Sequence, residues 1–133
     1  MTQEDKQLLL KDLCTRLPYG VKVTTTNPAV KIGVISGIFI KNKISVETKD
    51  ADIVFDCTEV KPYLRPMSSM TKEEEDEFVS FTDTMFRFGE DDRLCVFPLD
   101  AISWLNKKMF DYRGLIEKGL AIEVTKENNP YKN

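Results

Sequence analysis

The chain has 133 residues, of which 41% are hydrophobic and 31% charged, and this balance suits one globular domain with a core that needs no disulfides. It contains no histidine, which excludes Ser-His-Asp and Cys-His catalysis and the common zinc sites. The net charge is −3, with ten basic against eight acidic residues in 1–66 and nine against fourteen in 67–133, so the strongly basic balance of a nucleic-acid binder is missing.

Hydropathy and the N-terminal sequence predict a cytoplasmic protein. No apolar run approaches the roughly 20 residues that span a bilayer, and the acidic start does not have the pattern of a signal peptide. Cys14, Cys57 and Cys95 are widely spaced and include no CxxC pair, which argues against a disulfide framework and a zinc site. We expect buried, unreactive thiols, with a reactive Cys95 as the alternative, and neither a metal nor a cofactor.

The first predicted element is a helix over residues 2–16. Thr2 and Asp5 have the spacing of a capping box, and Pro18 ends the helix. Leu9 and Leu13 belong to an apolar stripe at helical spacing. The pattern favours a helix packed on the domain over one that binds a partner, because an exposed leucine stripe would reduce solubility.

Residues 21–60 change to a period of two, which predicts four or five short strands in an antiparallel meander. Turn residues separate the strands, for example at Asn27-Pro28 and Lys49-Asp50. Gly33 and Gly37, inside the longest strand, predict bulges or sharp bends. A bent strand lets a small sheet curl, so the segment predicts an SH3-like barrel or a strongly coiled sheet.

Two prolines mark the end of this β-rich part. Pro62 and Pro66 argue against a regular helix or a central strand between them, because proline fixes φ and has no N–H group to donate. We therefore predict a single helical turn at residues 60–64, which would tuck Tyr63 and Leu64 against the sheet.

Helical patterns follow the prolines. Thr71 and Glu74 form a second capping box, and Phe78 and Phe81 begin an apolar face at helical spacing. The acidic run over residues 73–77 is predicted to be a solvated helix start rather than a metal site, because consecutive helical residues point in different directions.

The next elements are an acidic loop over residues 89–92, an edge strand over 93–97 and a helix over 99–108. Trp104 is one position off the apolar stripe of that helix. We therefore predict that Trp104 lies at the helix flank or is partly exposed, and it is the best candidate for a surface aromatic.

The last helix is predicted over residues 112–118. Asp111 is a suitable N-cap, and Gly119 followed by Leu120 is typical of a Schellman motif. A helix, a Gly-Leu pair and a strand also occur at the recognition helix of winged-helix DNA readers. No basic hairpin follows here, so a DNA-reading role is disfavoured.

The patterns together predict a single α+β domain over residues 1–133. A helix and β-rich part occupies residues 1–66, and a part with about three helices occupies 67–133. The predicted core consists of apolar side chains at buried-face spacing: Leu9, Leu13, Val23, Ile32, Val34, Ile38, Ile44, Phe55, Leu64, Phe78, Phe81, Ile102, Leu105, Leu115 and Ile116.

Three stretches resemble a known group of sequences: LLLKDLCTRLPYGVKV, KPYLRPMSSMT and WLNKKMFDYRGLIEKGLAIEV. They are similar to a family of small uncharacterised proteins from the genomes of gut anaerobes and from their phages. The resemblance touches both ends of the chain and its middle. It implies a cytoplasmic setting with a link to phages or mobile elements, and it brings no activity, cofactor or catalytic residue.

Three functions remain open. The preferred one is a non-enzymatic module that binds a protein partner or itself through the sheet edge and a surface formed by Trp104, Tyr112 and Arg113. The second is a nucleic-acid accessory protein that uses basic side chains and a stacking aromatic, namely Lys41, Lys43, Lys61, Tyr63 and Arg65. An enzyme that works through carboxylates ranks last, because no convergent acids are evident.

Overall fold

The structure is a computed structural model that describes residues 1–88 and 99–132, without the side chains of residues 81–88 and Leu99. The helices are α1 (Gln3–Arg16), α2 (Lys72–Phe88) and α3 (Leu99–Lys107). The strands, in chain order, are β1 (Lys22–Thr25), β2 (Gly33–Phe39), β3 (Lys43–Glu47), β4 (Asp52–Asp56), β5 (Val60–Pro66), β6 (Phe110–Asp111) and β7 (Ile122–Glu123). Short 3₁₀ turns occupy Leu17–Tyr19, Cys57–Glu59 and Met67–Ser69.

The strands form one open, mostly antiparallel sheet in the order β4-β3-β2-β1-β5-β6, and β7 also pairs with β5. The first five strands pair antiparallel, whereas β6 and β7 each run parallel to β5. The α+β class, the N-terminal helix and the antiparallel meander are therefore confirmed. The SH3-like barrel is not confirmed, because no pairing among the described strands closes the sheet.

The predicted helical turn over residues 60–64 is wrong, since these residues belong to β5. Glu59 accepts a hydrogen bond from the Thr26 N–H group (3.0 Å), so alternate residues of this segment direct their backbone groups toward β1. The ring nitrogen of Pro62 then faces the opposite edge, where pairing with β7 begins only at Tyr63. Proline is tolerated in this strand because no ladder bond needs its missing N–H group.

Helix α1 packs its apolar stripe on the sheet, as predicted. The capping box is present, because the Asp5 N–H group donates to Thr2 Oγ1 (3.0 Å) and the Thr2 N–H group to Asp5 Oδ2 (3.4 Å). Leu9 and Leu13 are fully buried in the main core. Full burial of two leucine side chains stabilises the fold by about 1.5–3 kcal/mol each.

The two glycines of β2 serve different purposes. The register between β2 and β3 shifts between Ile35 and Gly37, which confirms the predicted bulge. At Gly33, a Cβ atom would collide with the Val46 side chain and lie 3.3 Å from the Glu47 carbonyl oxygen. Glycine at position 33 therefore allows the close approach of β3.

A second, smaller core joins the helices to β6. Trp104, Leu105 and Phe110 are buried there, and the Trp104 ring is stacked between Phe78 (5.9 Å) and Phe110 (5.6 Å). The prediction of a surface Trp104 is therefore wrong. Its one-position offset from the helical stripe places it against α2 and β6, partners that the periodicity of α3 alone does not reveal.

The predicted helix over residues 112–118 is also wrong, and a turn over residues 115–119 replaces it. Gly114 has a left-handed φ of +76°, which separates Asp111 from the turn that it caps. Asp111 still accepts from the N–H groups of Leu115 and Ile116, both at 2.9 Å. The remaining segment is too short for an α-helix, whose first turn is costly to nucleate.

The ending of that turn follows the predicted Schellman motif. The Leu120 N–H group donates to the Leu115 carbonyl (2.9 Å), and that of Gly119 donates to the Ile116 carbonyl (3.0 Å). Gly119 has a φ of +74°. These are the hydrogen bonds and the left-handed glycine that define the motif.

Most of the predicted core is buried or half-buried. Ile32 is an exception because it is 50% exposed in the loop before β2, and the side chain of Phe81 lies outside the described set. The predicted loop over 89–92, the edge strand over 93–97 and Cys95 also lie outside the described residues.

Candidate functional site

The structure does not bring together the residues predicted to bind nucleic acid. Lys41 and Lys43 lie at the tip of the β2–β3 hairpin, whereas Lys61 is on β5, two strands away in the sheet. Tyr63 is only 8% exposed, so its ring offers no stacking face to a ligand.

Arg65 is committed to contacts within the protein. Its guanidinium group donates to both carboxylate oxygens of Glu74 (2.8 and 2.7 Å) and lies over the Phe110 ring, 4.2 Å from its centroid. The hydrogen bonds from Arg65 lower the pKa of Glu74 to about 2. Arg65 thereby ties β5 to the start of α2.

A network of buried charged side chains involves Arg113, which was predicted to form part of a binding surface. Asp12 and Arg16, both 0% exposed, form an ion pair on α1 (Nε to Oδ2, 2.8 Å). Arg16 also donates from Nη2 to the Phe110 carbonyl oxygen. Arg113 donates to the other Asp12 oxygen (2.8 Å). One buried carboxylate therefore binds two guanidinium groups.

Tyr112 extends this network to α3. Its hydroxyl donates to Asn106 Oδ1 (2.8 Å), and the guanidinium of Arg113 lies 4.6 Å from the centroid of its ring. Tyr112 and Arg113 thus hold α1, α3 and β6 together. Trp104 is buried and Tyr112 and Arg113 are half-buried, so the three residues predicted to form a surface mainly make contacts within the molecule.

The sequence carried a signal for the Asp12–Arg16 pair that was missed. Leu9, Asp12, Leu13 and Arg16 are spaced as residues i, i+3, i+4 and i+7 of a helix, so all four share the buried face. An acidic and a basic residue one turn apart within an apolar stripe indicate a buried ion pair.

The described residues contain no cluster of three or more His, Cys, Asp or Glu side chains that could hold a metal ion. Cys57 is buried, and this burial raises the pKa of its thiol, which keeps it protonated and unreactive. Cys14 is exposed on α1, contrary to the prediction of a buried thiol.

The β2–β3 hairpin and β4 expose an apolar surface, here termed the tip patch, formed by Phe39, Ile40 and Val54. These side chains are 55%, 84% and 57% exposed. Val54 pairs with Ser45, and Ser45 pairs with Gly37. The Phe39 ring lies over Gly37, where an added Cβ would come within 3.3 Å of its Cζ atom. Phe39 and Val54 therefore lie on the same outer face of the sheet.

The hairpin tip turns through two residues with positive φ angles. Lys41 and Asn42 have positive φ angles of 60° and 62°, in the left-handed region that asparagine tolerates and lysine rarely adopts. The Asn42 carbonyl accepts a hydrogen bond from the Cys57 N–H group (2.9 Å), which anchors the tip to the end of β4. The tip is therefore a fixed feature of the sheet.

Strand β4 contributes Val54 to the tip patch and pairs only with β3 among the described strands. Its other edge carries backbone groups without ladder partners, flanked by Asp52 and Asp56. Such charged residues hinder uncontrolled edge-to-edge pairing. Lys43 lies 3.7 Å from Asp56 in an exposed ion pair, so Lys41 is the less neutralised cation of the tip.

No protein-family model matches the chain, and no curated protein or solved structure is significantly similar to it. The resemblance to small proteins of gut anaerobes and their phages stays a prediction. Within the described residues, no helix is both long enough and apolar enough to cross a membrane.

Proposed function

We propose that the protein is a non-enzymatic interaction module that binds a protein partner through the tip patch. The observation that carries the proposal is the exposure of Phe39 and Ile40 at the hairpin tip and of Val54 on the neighbouring strand β4. The proposed partner has an apolar pocket bordered by carboxylates, because Lys41 follows Ile40 directly and Lys43 is paired with Phe39 across the hairpin.

The backbone of the tip supports this proposal. A lysine in the left-handed region costs about 1–2 kcal/mol relative to glycine, so the tip keeps a side chain that its own fold does not favour. Residues held in sparsely populated conformations cluster at functional sites. A positive charge beside an exposed isoleucine matches the apolar centre and polar rim of protein interfaces.

The experiment compares capture of partners by the wild-type chain and by an Ile40→Ser variant. Ile40 is 84% exposed, so its replacement leaves the fold intact. Burial of an isoleucine side chain contributes about 1.5–3 kcal/mol, so we expect the captured partner to bind at least about tenfold more weakly. Affinity is then measured with the purified partner.

Ile32→Ser is the matched control, because Ile32 is also exposed but lies at the opposite end of β2. The proposal requires a stoichiometric protein that nuclease does not remove, that Ile32→Ser retains and that Ile40→Ser loses. Equal capture by both variants, or a patch that only mediates association of identical chains in sedimentation, would contradict it.

The cytoplasmic setting and the phage link belong to the same proposal and rest on the sequence. The predicted nucleic-acid site has no geometric support, because Lys41, Lys43 and Lys61 lie apart, Tyr63 is buried and Arg65 is paired with Glu74.

A further inference from the structure

A cleft away from the tip patch is lined by several basic side chains, and it is termed the basic cleft. It has a volume of about 660 Å³ and lies between the end of β5, the end of α3 and the chain that follows β7. Its lining includes one arginine, four lysines and an exposed tyrosine: Arg65, Lys107, Lys108, Lys126, Lys132 and Tyr19. Pockets of this size accommodate small-molecule ligands.

The charge of the basic cleft is unbalanced. Among the described residues no Asp or Glu lines it, although the chain has 22 acidic residues against 19 basic ones. None of its four lysines forms an ion pair with another described residue. Arg65, in contrast, is paired with Glu74. Four lysines around a cavity, without an ion-pair partner in the described part of the chain, attract an anion.

Only two of the four lysines in the basic cleft lie at the end of a helix. Lys107 and Lys108 complement the negative end of α3, as lysines near a helix C-terminus commonly do. Lys126 and Lys132 come from the irregular chain after β7, where no helix end requires them. Two separate parts of the chain therefore direct positive charge to one cavity.

The wall of the basic cleft is held in place by Tyr131. The Tyr131 hydroxyl accepts from the Lys22 N–H group (2.9 Å) and donates to the Tyr63 carbonyl oxygen (2.8 Å). Lys22 Nζ also donates to the Pro130 carbonyl oxygen (2.8 Å), and the Val124 N–H group donates to the Leu64 carbonyl oxygen (2.8 Å). The segment that carries Lys126 and Lys132 is thus tied to β1 and β5, so the cleft is pre-formed.

We infer that the basic cleft binds the phosphate groups of a nucleotide. Lysine ammonium groups bind phosphate as point charges. Tyr19, which is 38% exposed, offers a ring on which an aromatic base can stack. The same phosphate chemistry is present in a free nucleotide and in a single strand of nucleic acid, and the experiment separates these two sources.

The experiment titrates the full chain with pyrophosphate, ATP, a single-stranded oligothymidylate of ten nucleotides and poly-glutamate, at two salt concentrations. We expect ATP or the oligonucleotide to bind with a Kd below about 1 mM. Tighter binding of ATP assigns the site to free nucleotides, and tighter binding of the oligonucleotide assigns it to nucleic acid. Removal of two phosphate-binding lysines lowers the salt slope by about two.

The test variant is Lys126→Ala with Lys132→Ala, and the matched control is Lys31→Ala with Lys49→Ala, which removes the same charge at the other end of the molecule. We expect at least tenfold weaker binding for the test variant and less than a twofold change for the control. Tyr19→Ala should weaken ATP or oligonucleotide binding about fivefold or more and leave pyrophosphate binding unchanged.

Several results overturn the inference. Absence of binding to ATP and to the oligonucleotide at millimolar concentration does so directly. Equal losses in the test and control variants would show that only net charge matters. If poly-glutamate bound as tightly as ATP and the oligonucleotide, the cleft would not be specific for nucleotides. The same conclusion would follow if Tyr19→Ala had no effect on ATP and oligonucleotide binding.

Discussion

The two halves of the sheet are held together by different kinds of strand pairing. Strands β2, β3 and β4 pair with their neighbours in sequence through short turns and leave the tip patch exposed. Strand β5 instead pairs with β1 and with β6 and β7, which come from the end of the chain. The strand pairings of the first half join segments that are close in sequence, so this half should tolerate substitutions. The second half depends on contacts between residues far apart in sequence. Mutations should therefore be far more costly around β5 and α1 than at the tip.

The largest effect is expected from Asp12→Ala. This change leaves Arg16 buried without its carboxylate, and removal of one partner of a buried ion pair costs about 3–5 kcal/mol. Urea unfolding at neutral pH measures the loss. The double variant with Arg16→Met should recover part of it, because no unpaired buried charge then remains at position 16. A loss below 1 kcal/mol would show that the network is not needed for stability.

A smaller loss is expected from Tyr131→Phe. The variant keeps the ring but leaves the Lys22 N–H group and the Tyr63 carbonyl oxygen without the bridging hydroxyl, at a cost of about 1–3 kcal/mol. Amide hydrogen exchange should become faster at Lys22 and stay unchanged at Ile44 in β3. Unchanged exchange at Lys22 would show that the Tyr131 hydroxyl does not stabilise the pairing of β1 with β5.

The Arg65–Glu74 pair predicts a dependence of stability on pH. The pKa of Glu74 is about 2 in the folded protein and 4.5 without its partners, so the folded state favours the charged carboxylate. The stabilisation is fully present above about pH 4.5 and is lost as the pH falls toward 2. Glu74→Gln should lower the free energy of unfolding at pH 7 by about 1–2 kcal/mol.

The same variant should also have a smaller loss of stability than the wild type between pH 4.5 and pH 2, the interval set by the two pKa values. Urea unfolding at pH 7, 4.5 and 2.5 gives both quantities. Glu75→Gln is the control, since Glu75 is exposed in the same helical turn. Parallel pH profiles for Glu74→Gln and the wild type would mean that other carboxylates dominate.

The smallest effect, and one of opposite sign, is expected at the tip. Lys41→Gly replaces a side chain at a φ of 60° with a residue that adopts this conformation freely, so stability should rise by about 0.5–1 kcal/mol. Asn42→Gly should change stability less, because asparagine tolerates the left-handed region. A destabilised Lys41→Gly variant would indicate that the lysine side chain supports the fold, which would weaken its proposed role in binding.

Elements with local causes could be predicted from the sequence. Thr2 with Asp5 and Thr71 with Glu74 formed the predicted capping boxes, and the period of two after Val21 produced the antiparallel strands. Gly119 ended its turn with the expected Schellman hydrogen bonds. Each of these features depends on residues a few positions apart, whose relative placement the chain geometry already restricts.

The contacts of the remaining residues depend on how distant parts of the chain pack together. Pro62 lies in a central strand because the edge that its nitrogen faces needs no donor there. Trp104 is buried because α2 and β6 cover it, and Arg113 reaches Asp12 from 101 positions away.

The candidate sites follow the same division. The tip patch lies on a hairpin whose strands and turn could be predicted, although Phe39 and Ile40 were not singled out. The basic cleft could not be predicted, because Lys107 and Lys132 become neighbours only when the end of the chain folds back on β5. Local patterns fix backbone conformation and the buried face of an element, whereas the contacts between distant elements depend on long-range packing, which sequence spacing does not encode.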